Sequence, residues 1–341
     1  MLRCFLGKRM SKLKTAIDDL IWFCATTLRL CAYILLMLGA QVISMLILAA
    51  MHVNYNVYEG TWELIYIAIA LAFLGLTYLV EHKTNNREYY LITHKNDDSD
   101  FQFSTPNKRD MTWCDGRTIK KSAINRYKFL VIIIISLGLL GIITFYLSTA
   151  NIIADKFSGG AVEQALNDYD TAMDRYAYVD QEIVPKWDVI LQYFLLVFCV
   201  PVVEELMFRG FVFGQYKRRM PFWAAALASA FLFGIIHGIS IQIGYAMIAG
   251  VILSLVYYYC DSIYCSIAVH AIFNFLGGVM FSISTDFPVT RNLVSIINMI
   301  FYYAESFAIL PAILLMIYLV KKGYHPIKNS DNGDITLTVK E

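Results

Sequence analysis

The hydrophobic positions of this chain form long runs that contain almost no charge, separated by short polar stretches. A helix needs about 20 predominantly apolar residues to cross the hydrocarbon core of a bilayer. Eight runs approach that length: residues 30–51, 62–81, 128–152, 189–213, 222–238, 243–260, 264–284 and 294–320. The fifth and sixth runs are the shortest. The pattern predicts an all-α, polytopic membrane protein with about eight transmembrane helices.

Composition supports this fold class and excludes a soluble domain. Hydrophobic residues make up 58% of the chain and charged residues only 16%, whereas about 25% of a soluble domain is charged. The seven Cys show neither zinc-site spacing nor a disulfide framework. A basic segment precedes the first run without a cleavage site, so we expect an uncleaved first span.

The distribution of Lys and Arg predicts the orientation of the spans. Basic clusters precede the first run, fill residues 82–127, follow the fourth run at Lys217-Arg218-Arg219 and follow the eighth at Lys321-Lys322. Threading eight spans places all four clusters on one side, and cytosolic loops carry the excess of positive charge. Residues 155–188 fall on the opposite side and are rich in Asp and Glu. Both termini are therefore predicted to be cytosolic in a multi-pass protein of the cell membrane.

These features divide the chain into four regions. Residues 1–154 form an N-terminal transmembrane region of three spans with a cytosolic loop, and residues 155–188 an extracytoplasmic linker. Residues 189–325 form an intramembrane domain that contains the candidate chemistry, and residues 326–341 a disordered tail. The linker is either an amphipathic surface helix or a solvated connection.

The fourth run contains three ionisable residues: Glu204, Glu205 and Arg209. Each ionisable group within a span costs roughly 2.5–3.5 kcal/mol on insertion scales, so such groups are rare and usually functional. Residues four apart stack on a helix, so Glu205 is predicted to pair with Arg209. Glu204 points about 100° away and shares its face with Phe208. We therefore favour Glu204 as a general base, and Pro201 one turn earlier is expected to kink the helix beside it.

His237 lies in the fifth run, on one face with Phe233. Glu204 and His237 are each about sixteen residues from the turn near Met220, which puts both at roughly 24 Å from that turn in an antiparallel hairpin. The spacing predicts that His237 faces Glu204. The alternative for an isolated intramembrane His is a packing role.

In the seventh run, His270 and Asn274 are four residues apart and share a face. Their N–H groups suit stabilisation of an oxyanion, and the alternative is an interhelical hydrogen bond. Two other acids lie in or beside apolar runs: Glu63 is interpreted as interfacial, and Glu305 has no evident partner.

Together these residues resemble the CAAX protease and bacteriocin-processing family, which includes the type II CAAX prenyl endopeptidases and the bacterial Abi proteins. The motifs that carry the resemblance are Val203-Glu-Glu-Leu-Met-Phe-Arg-Gly210, Phe231-Leu-Phe-Gly-Ile-Ile-His237 and Ser266-Ile-Ala-Val-His-Ala-Ile-Phe-Asn274, within residues 189–285. A small departure is Cys260-Asp261-Ser262, where the family tends to have a Gly-containing turn.

The resemblance implies an intramembrane endopeptidase. In that interpretation Glu204 and His237 activate a water molecule, Glu205 and Arg209 brace the site, and His270 and Asn274 hold the developing oxyanion. Its partners are the lipid bilayer and a peptide or protein substrate, with no nucleic acid.

The sequence leaves alternatives open both for the cofactor and for the class of function. We favour a mechanism without a metal cofactor, and the alternative is a zinc ion held by Glu204, His237 and His270. A non-catalytic immunity or binding protein of the same fold is a second hypothesis, although the catalytic set is intact. A secondary transporter is a third, but transporters of this kind usually show two repeats with broken helices, and the sequence shows no repeat.

The predicted topology is testable by cysteine labelling. Asp170→Cys, in a variant that lacks the native Cys, should react with a membrane-impermeant maleimide in intact cells, because residues 155–188 are predicted to lie outside. Ser104→Cys, in the predicted cytosolic loop, should react only after permeabilisation. The opposite pattern would refute the eight-span orientation.

Overall fold

The computed structural model describes residues 2–54, 57–94, 123–157, 160–177, 184–217, 220–238, 240–280, 282–283 and 291–322. In these ranges the protein consists of helices: α1 (Leu2–Ala50), α2 (Glu59–His94), α3 (Arg126–Lys156), α4 (Ala161–Ala177), α5 (Lys186–Lys217), α6 (Phe222–Ile235), α7 (Ser240–Tyr259), α8 (Ile263–Val279) and α9 (Arg291–Lys322). Six are long and apolar enough to cross a membrane, and α6 and α8 are shorter apolar helices. The predicted all-α, polytopic membrane fold is confirmed.

Several helix bounds differ from the apolar runs. Helix α1 begins at Leu2 instead of near residue 30, and α2 continues to His94 instead of ending near residue 81. Hydropathy marks only the apolar part of a helix, whereas the hydrogen-bond ladder continues beyond it. Helix α6 ends at Ile235, earlier than predicted, because the chain turns at Gly238 with φ +72°, a conformation that favours glycine. His237 therefore lies in the turn that follows α6.

Residues 161–177 form helix α4, so the helical interpretation of this part of the 155–188 segment is the one observed. The predicted disordered tail at 326–341 and residues 95–122 of the predicted cytosolic loop lie outside the described residues.

The chain divides into two compact units that are not continuous in sequence. The first comprises Met1–Ile119 and Asn167–Val251, and the second Lys120–Leu166 and Ile252–Glu341. In the first unit, α2 packs against α1 and α5, and α5 packs against α6. In the second, α3 packs against both α8 and α9.

Helix α5 is interrupted by two wider, π-helical segments, Leu195–Cys199 and Leu206–Phe213. The first accommodates Pro201, which lacks an N–H and whose ring crowds the carbonyl group four residues earlier. Just before this proline, the N–H of Val200 bonds to the carbonyl of Leu195, five residues back. The two π-helical segments bracket Val200–Glu205, the short α-helical stretch that contains both glutamates. Such segments occur frequently at functional sites.

Asp188 fixes the start of α2 against the start of α5. Its carboxylate accepts hydrogen bonds from the N–H of Gly60 (2.7 Å), the N–H of Thr61 (2.9 Å) and the hydroxyl of Thr61 (2.5 Å). A Cβ at Gly60 would collide with the Asp188 carbonyl oxygen, so only glycine permits this approach. Further along, Tyr78 of α2 contacts Phe211 of α5. The two helices therefore run in the same direction, as the predicted topology requires.

Small residues bring α6 and α7 close together. A Cβ at Gly234 would lie 2.8 Å from the Ile243 carbonyl oxygen, and one at Gly250 would lie 2.9 Å from Ala230 Cβ. Membrane helices use such small residues to bring their backbones into contact. The close packing at Gly250 also brings its carbonyl within reach of α5.

The second unit accounts for Glu305. Its carboxylate, on α9, accepts a hydrogen bond of 2.9 Å from the Thr144 hydroxyl on α3. Gly141, one turn earlier on α3, lies against the backbone of Glu305. The acid that has no evident partner in the sequence is therefore part of the α3–α9 packing.

Candidate active site

Glu205 and Arg209 form a fully buried ion pair on α5. Arg209 Nη1 donates to Glu205 Oε1 over 2.7 Å, and the side chains are 1% and 0% exposed. The predicted i,i+4 pair is therefore present. Removing two ions from water costs several kcal/mol each, so a pair of this kind persists only with good geometry and additional polar contacts.

Arg209 obtains those contacts from two other helices. Its Nη2 donates to the carbonyl of Gly250 on α7 over 3.2 Å. Its guanidinium carbon lies 4.7 Å from the ring centre of Phe233 on α6, a cation–π contact. One side chain thus connects α5, α6 and α7. Lysine has no planar guanidinium group and would not make the same set of contacts.

Glu204 has a different environment from its neighbour. It is half-buried, whereas Glu205 is fully buried. Glu204 interacts electrostatically with Arg209, and also with Glu63 and Tyr66 of α2. The two adjacent acids therefore have different environments: Glu205 is fully buried and binds Arg209 directly, whereas Glu204 is half-buried.

His237 is positioned by Phe233. Its Nδ1 lies 2.7 Å from the Phe233 carbonyl oxygen, and the two rings meet edge to face at 4.7 Å. A carbonyl oxygen only accepts hydrogen bonds, so Nδ1 carries the proton. In the neutral imidazole Nε2 is then the nitrogen that can accept a hydrogen bond.

The packing of α5 on α6 sets the level of His237. Phe208 and Phe233 contact each other edge to face at 5.0 Å, and the Ser229 hydroxyl donates to the Phe208 carbonyl over 3.2 Å. Glu204 precedes Phe208 by one turn and His237 follows Phe233 by one turn. In an antiparallel helix pair, one turn back along α5 and one turn forward along α6 lead in the same direction along the helix axes. Glu204 and His237 therefore lie at the same level.

His270 and Asn274 belong to α8, in the second unit. His270 is buried, with 6% of its surface exposed, and Asn274 is half-buried. Asn274 is the last α-helical residue before the π-helical segment Phe275–Val279. The two residues are one helical turn apart and therefore share a face of α8, as the spacing predicts.

The structure adds two residues that the sequence interpretation left out of the site. Glu63, interpreted as interfacial, is 6% exposed and interacts with Glu204. Tyr66, three residues later on α2, interacts with both Glu63 and Glu204. The sequence shows that a Glu and a Tyr share one helix face within an apolar run, because they are three residues apart. It does not show that this face lies near the fourth run.

The zinc alternative requires Glu204, His237 and His270 to lie together as three ligands. Among the described residues, no three His, Cys, Asp or Glu side chains are grouped so that they could hold a metal ion, whereas a catalytic zinc site has three protein ligands. The metal-free mechanism stays a prediction.

The buried ion pair predicts unequal effects of substitution at the two glutamates. Glu205→Ala and Arg209→Ala should each destabilise the fold by roughly 3–5 kcal/mol, because each leaves an uncompensated buried charge. Folded protein in the membrane, measured by detergent size-exclusion chromatography, should fall for both. Glu204→Gln should leave the amount of folded protein near the parent level.

The double variant Glu205→Leu/Arg209→Met is the control, because it removes both charges and keeps apolar volume. It should recover much of the folded protein that either single variant loses. Single variants as abundant as the parent would contradict a structural role for the pair.

Residues 186–276 match the family model described as type II CAAX prenyl endopeptidase Rce1-like. No curated protein and no solved structure matched the chain. The matched range contains all six candidate residues, Glu204, Glu205, Arg209, His237, His270 and Asn274. The resemblance indicated by the motifs is confirmed: residues 186–276 of this polytopic membrane protein are similar to the type II CAAX prenyl endopeptidases.

Proposed function

We propose that the protein is an intramembrane endopeptidase that hydrolyses a peptide bond in a membrane-associated substrate, either CAAX-like or of the bacteriocin type. The family match supports a protease of the CAAX type in general. The observation that carries the mechanism is the division of roles on α5: Arg209 bonds to Glu205, while Glu204 lies at the level of His237.

In this mechanism Glu204 is the general base. It takes a proton from a water molecule as the water oxygen attacks the substrate carbonyl carbon, and it then passes that proton to the leaving amine nitrogen. His237, whose Nδ1 is held by the Phe233 carbonyl, accepts a hydrogen bond at Nε2 from the other O–H of the water and orients the attack. Glu205 and Arg209 keep the helix around Glu204 in place.

His270 and Asn274 are proposed to donate hydrogen bonds to the oxyanion that forms on the substrate carbonyl. This assignment is supported by the family motif and by their shared face on α8. Donors that are already in position stabilise the charge where it develops, without reorganisation.

The proposed partners are the bilayer and a peptide or protein substrate. Six helices of the described chain are apolar enough to span a membrane, and large side chains such as Leu28 and Phe307, at 74% and 80% exposed, face outward. Exposed apolar side chains of this size suit contact with lipid. We further propose that both termini are cytosolic, following the distribution of Lys and Arg.

Substitutions should separate the base from the oxyanion donors. Glu204→Gln should abolish hydrolysis, because the amide cannot accept a proton. Asn274→Ala should retain slow turnover, since losing one oxyanion donor typically costs about 10²–10³-fold in rate. Single-turnover cleavage of a fluorescent, prenylated CAAX peptide by purified protein in detergent measures both effects.

The same variants identify the substrate class in cells. Membrane proteomes of cells that produce Glu204→Gln or the parent protein should differ by an accumulated, uncleaved precursor. A Glu204→Gln variant as active as the parent would remove Glu204 as the base. If the parent protein has no proteolytic effect in either experiment, a non-catalytic binding or immunity protein becomes the better description.

The metal-free mechanism predicts that chelation leaves activity unchanged. Purified enzyme dialysed against a strong chelator should cleave the peptide at the parent rate, because Glu204 and His237 supply the proton acceptor and the orienting group. The control is a zinc protease treated in the same way. Loss of activity that stoichiometric zinc restores would overturn the metal-free mechanism and leave the protease assignment in place.

A further inference from the structure

Helix α1 is longer than a membrane span requires. Its apolar part, Ala16–Ala50, has 35 residues, and at 1.5 Å per residue it rises about 52 Å, whereas the hydrocarbon core is about 30 Å thick. A helix of this length would need a tilt of about 55° to stay within the core, and membrane helices tilt by roughly 0–40°. One end of the apolar part therefore extends beyond the bilayer.

Arg29 shows which end that is. A guanidinium group is strongly unfavourable within the hydrocarbon core. Arg29 Nη2 donates to Gln215 Oε1 over 3.5 Å, at the end of α5, where the basic residue Lys217 follows. Residues 29–50 rise about 32 Å, which matches the core. Arg29 therefore marks the bilayer surface, and residues 16–28 rise about 20 Å beyond it.

The outward face of α1 carries apolar side chains at intervals of seven residues. The most exposed set, at 62%, 74%, 65% and 56%, consists of Ile21, Leu28, Leu35 and Val42. The second set, four residues before or three residues after members of the first, consists of Ile17, Cys24, Cys31, Leu38 and Met45. These are the a and d positions of a heptad repeat, the pattern by which one helix packs along another.

The part of this stripe beyond the bilayer needs a partner other than lipid. Within the span, lipid chains can cover an apolar face, but they do not reach Ile17 and Ile21, which are 47% and 62% exposed. Exposed apolar side chains that form a continuous stripe mark an interaction surface.

The contacts of α1 within its own chain use other faces. Phe23 stacks on Tyr216 of α5 with ring centres 5.6 Å apart, and the hydroxyl groups of Thr27 and Tyr216 share a hydrogen bond of 2.9 Å. The buried side chains of α1 lie on the side of the helix opposite the stripe and include Thr26, Leu30, Ile34, Ser44 and Leu48. This packing leaves the heptad stripe on the outer surface.

We propose that the stripe binds the same stripe of a second copy of this chain, in a parallel two-helix coiled coil along residues 17–45. Two copies inserted into one membrane have the same orientation, so their α1 helices run parallel and each residue lies at the depth of its counterpart. The two identical repeats are then in register. A different protein would need an apolar repeat of the same period at the same depth. The dimer does not depend on the proposed hydrolysis, and its tests measure assembly instead of activity.

Cys24 provides a direct test in membranes, because it is exposed and occupies a d position. The full-length chain is produced with the two buried cysteines, Cys260 and Cys265, retained and the other cysteines apart from Cys24 replaced by Ala. Copper phenanthroline should link two copies through Cys24, since d positions of a parallel pair face each other and a disulfide needs Cα atoms about 4.4–6.8 Å apart.

The matched control combines Cys24→Ser with Asp19→Cys in the same background. Asp19 is exposed and lies on the side of α1 opposite the stripe, so its thiol should give little cross-linked dimer. Labelling with a maleimide confirms that both thiols are accessible.

Substitution at Ile21 tests the stripe itself. Ile21→Glu, in the chain that retains Cys24, should weaken the dimer by roughly 10- to 100-fold and lower the cross-linked fraction, because each copy loses a buried isoleucine. Ile21→Leu keeps an apolar side chain and should cross-link as the parent does. Size-exclusion chromatography in detergent checks that each variant is folded, and Ile21→Ala replaces Ile21→Glu if the latter is not.

Three results would overturn the proposal. The first is a Cys24 thiol that reacts with maleimide but gives no cross-linked dimer, in which case lipid or another protein covers the stripe. The second is equal cross-linking through Asp19→Cys, which indicates random collision. The third is a cross-linked fraction that Ile21→Glu, or its Ala substitute, leaves unchanged.

Discussion

The buried ion pair between Glu205 and Arg209 is the interaction on which the rest of the site depends. Both side chains are almost completely removed from solvent, and each charge would be strongly unfavourable there without the other. Arg209 also donates to the carbonyl of Gly250 and lies over the face of Phe233. The contacts of one guanidinium thus join α5, α6 and α7.

That arrangement determines what the neighbouring groups can do. Phe233 contacts Arg209 with its ring and orients His237 with its carbonyl, so the ion pair and the imidazole share one support. The early end of α6 at Ile235 places His237 in a turn instead of a helix. Glycine at position 250 keeps α7 close enough for its backbone to serve as a ligand for Arg209.

Helix α2 shows how residues far away in sequence enter the surroundings of Glu204. Asp188 bonds to the first turn of α2, and this contact orients the polar face of that helix toward α5. A carboxylate at a helix N-terminus also interacts favourably with the helix dipole. The matched segment 186–276 and the N-terminal spans are therefore connected by hydrogen bonds as well as by apolar packing.

The sequence by itself determined the fold class, the identity of the six candidate residues and the pairing of Glu205 with Arg209, because span length and i,i+4 spacing are local properties of a helix. It also indicated that Glu204 and His237 share one level, because each is about sixteen residues from the same turn near Met220. Only the tertiary structure decided that Glu63 is buried, that Glu305 is bonded by Thr144 and that Gly250 supports Arg209. These contacts join residues from helices distant in sequence, and their register is set by interhelical packing at small residues and by single hydrogen bonds, which no periodicity within one helix encodes.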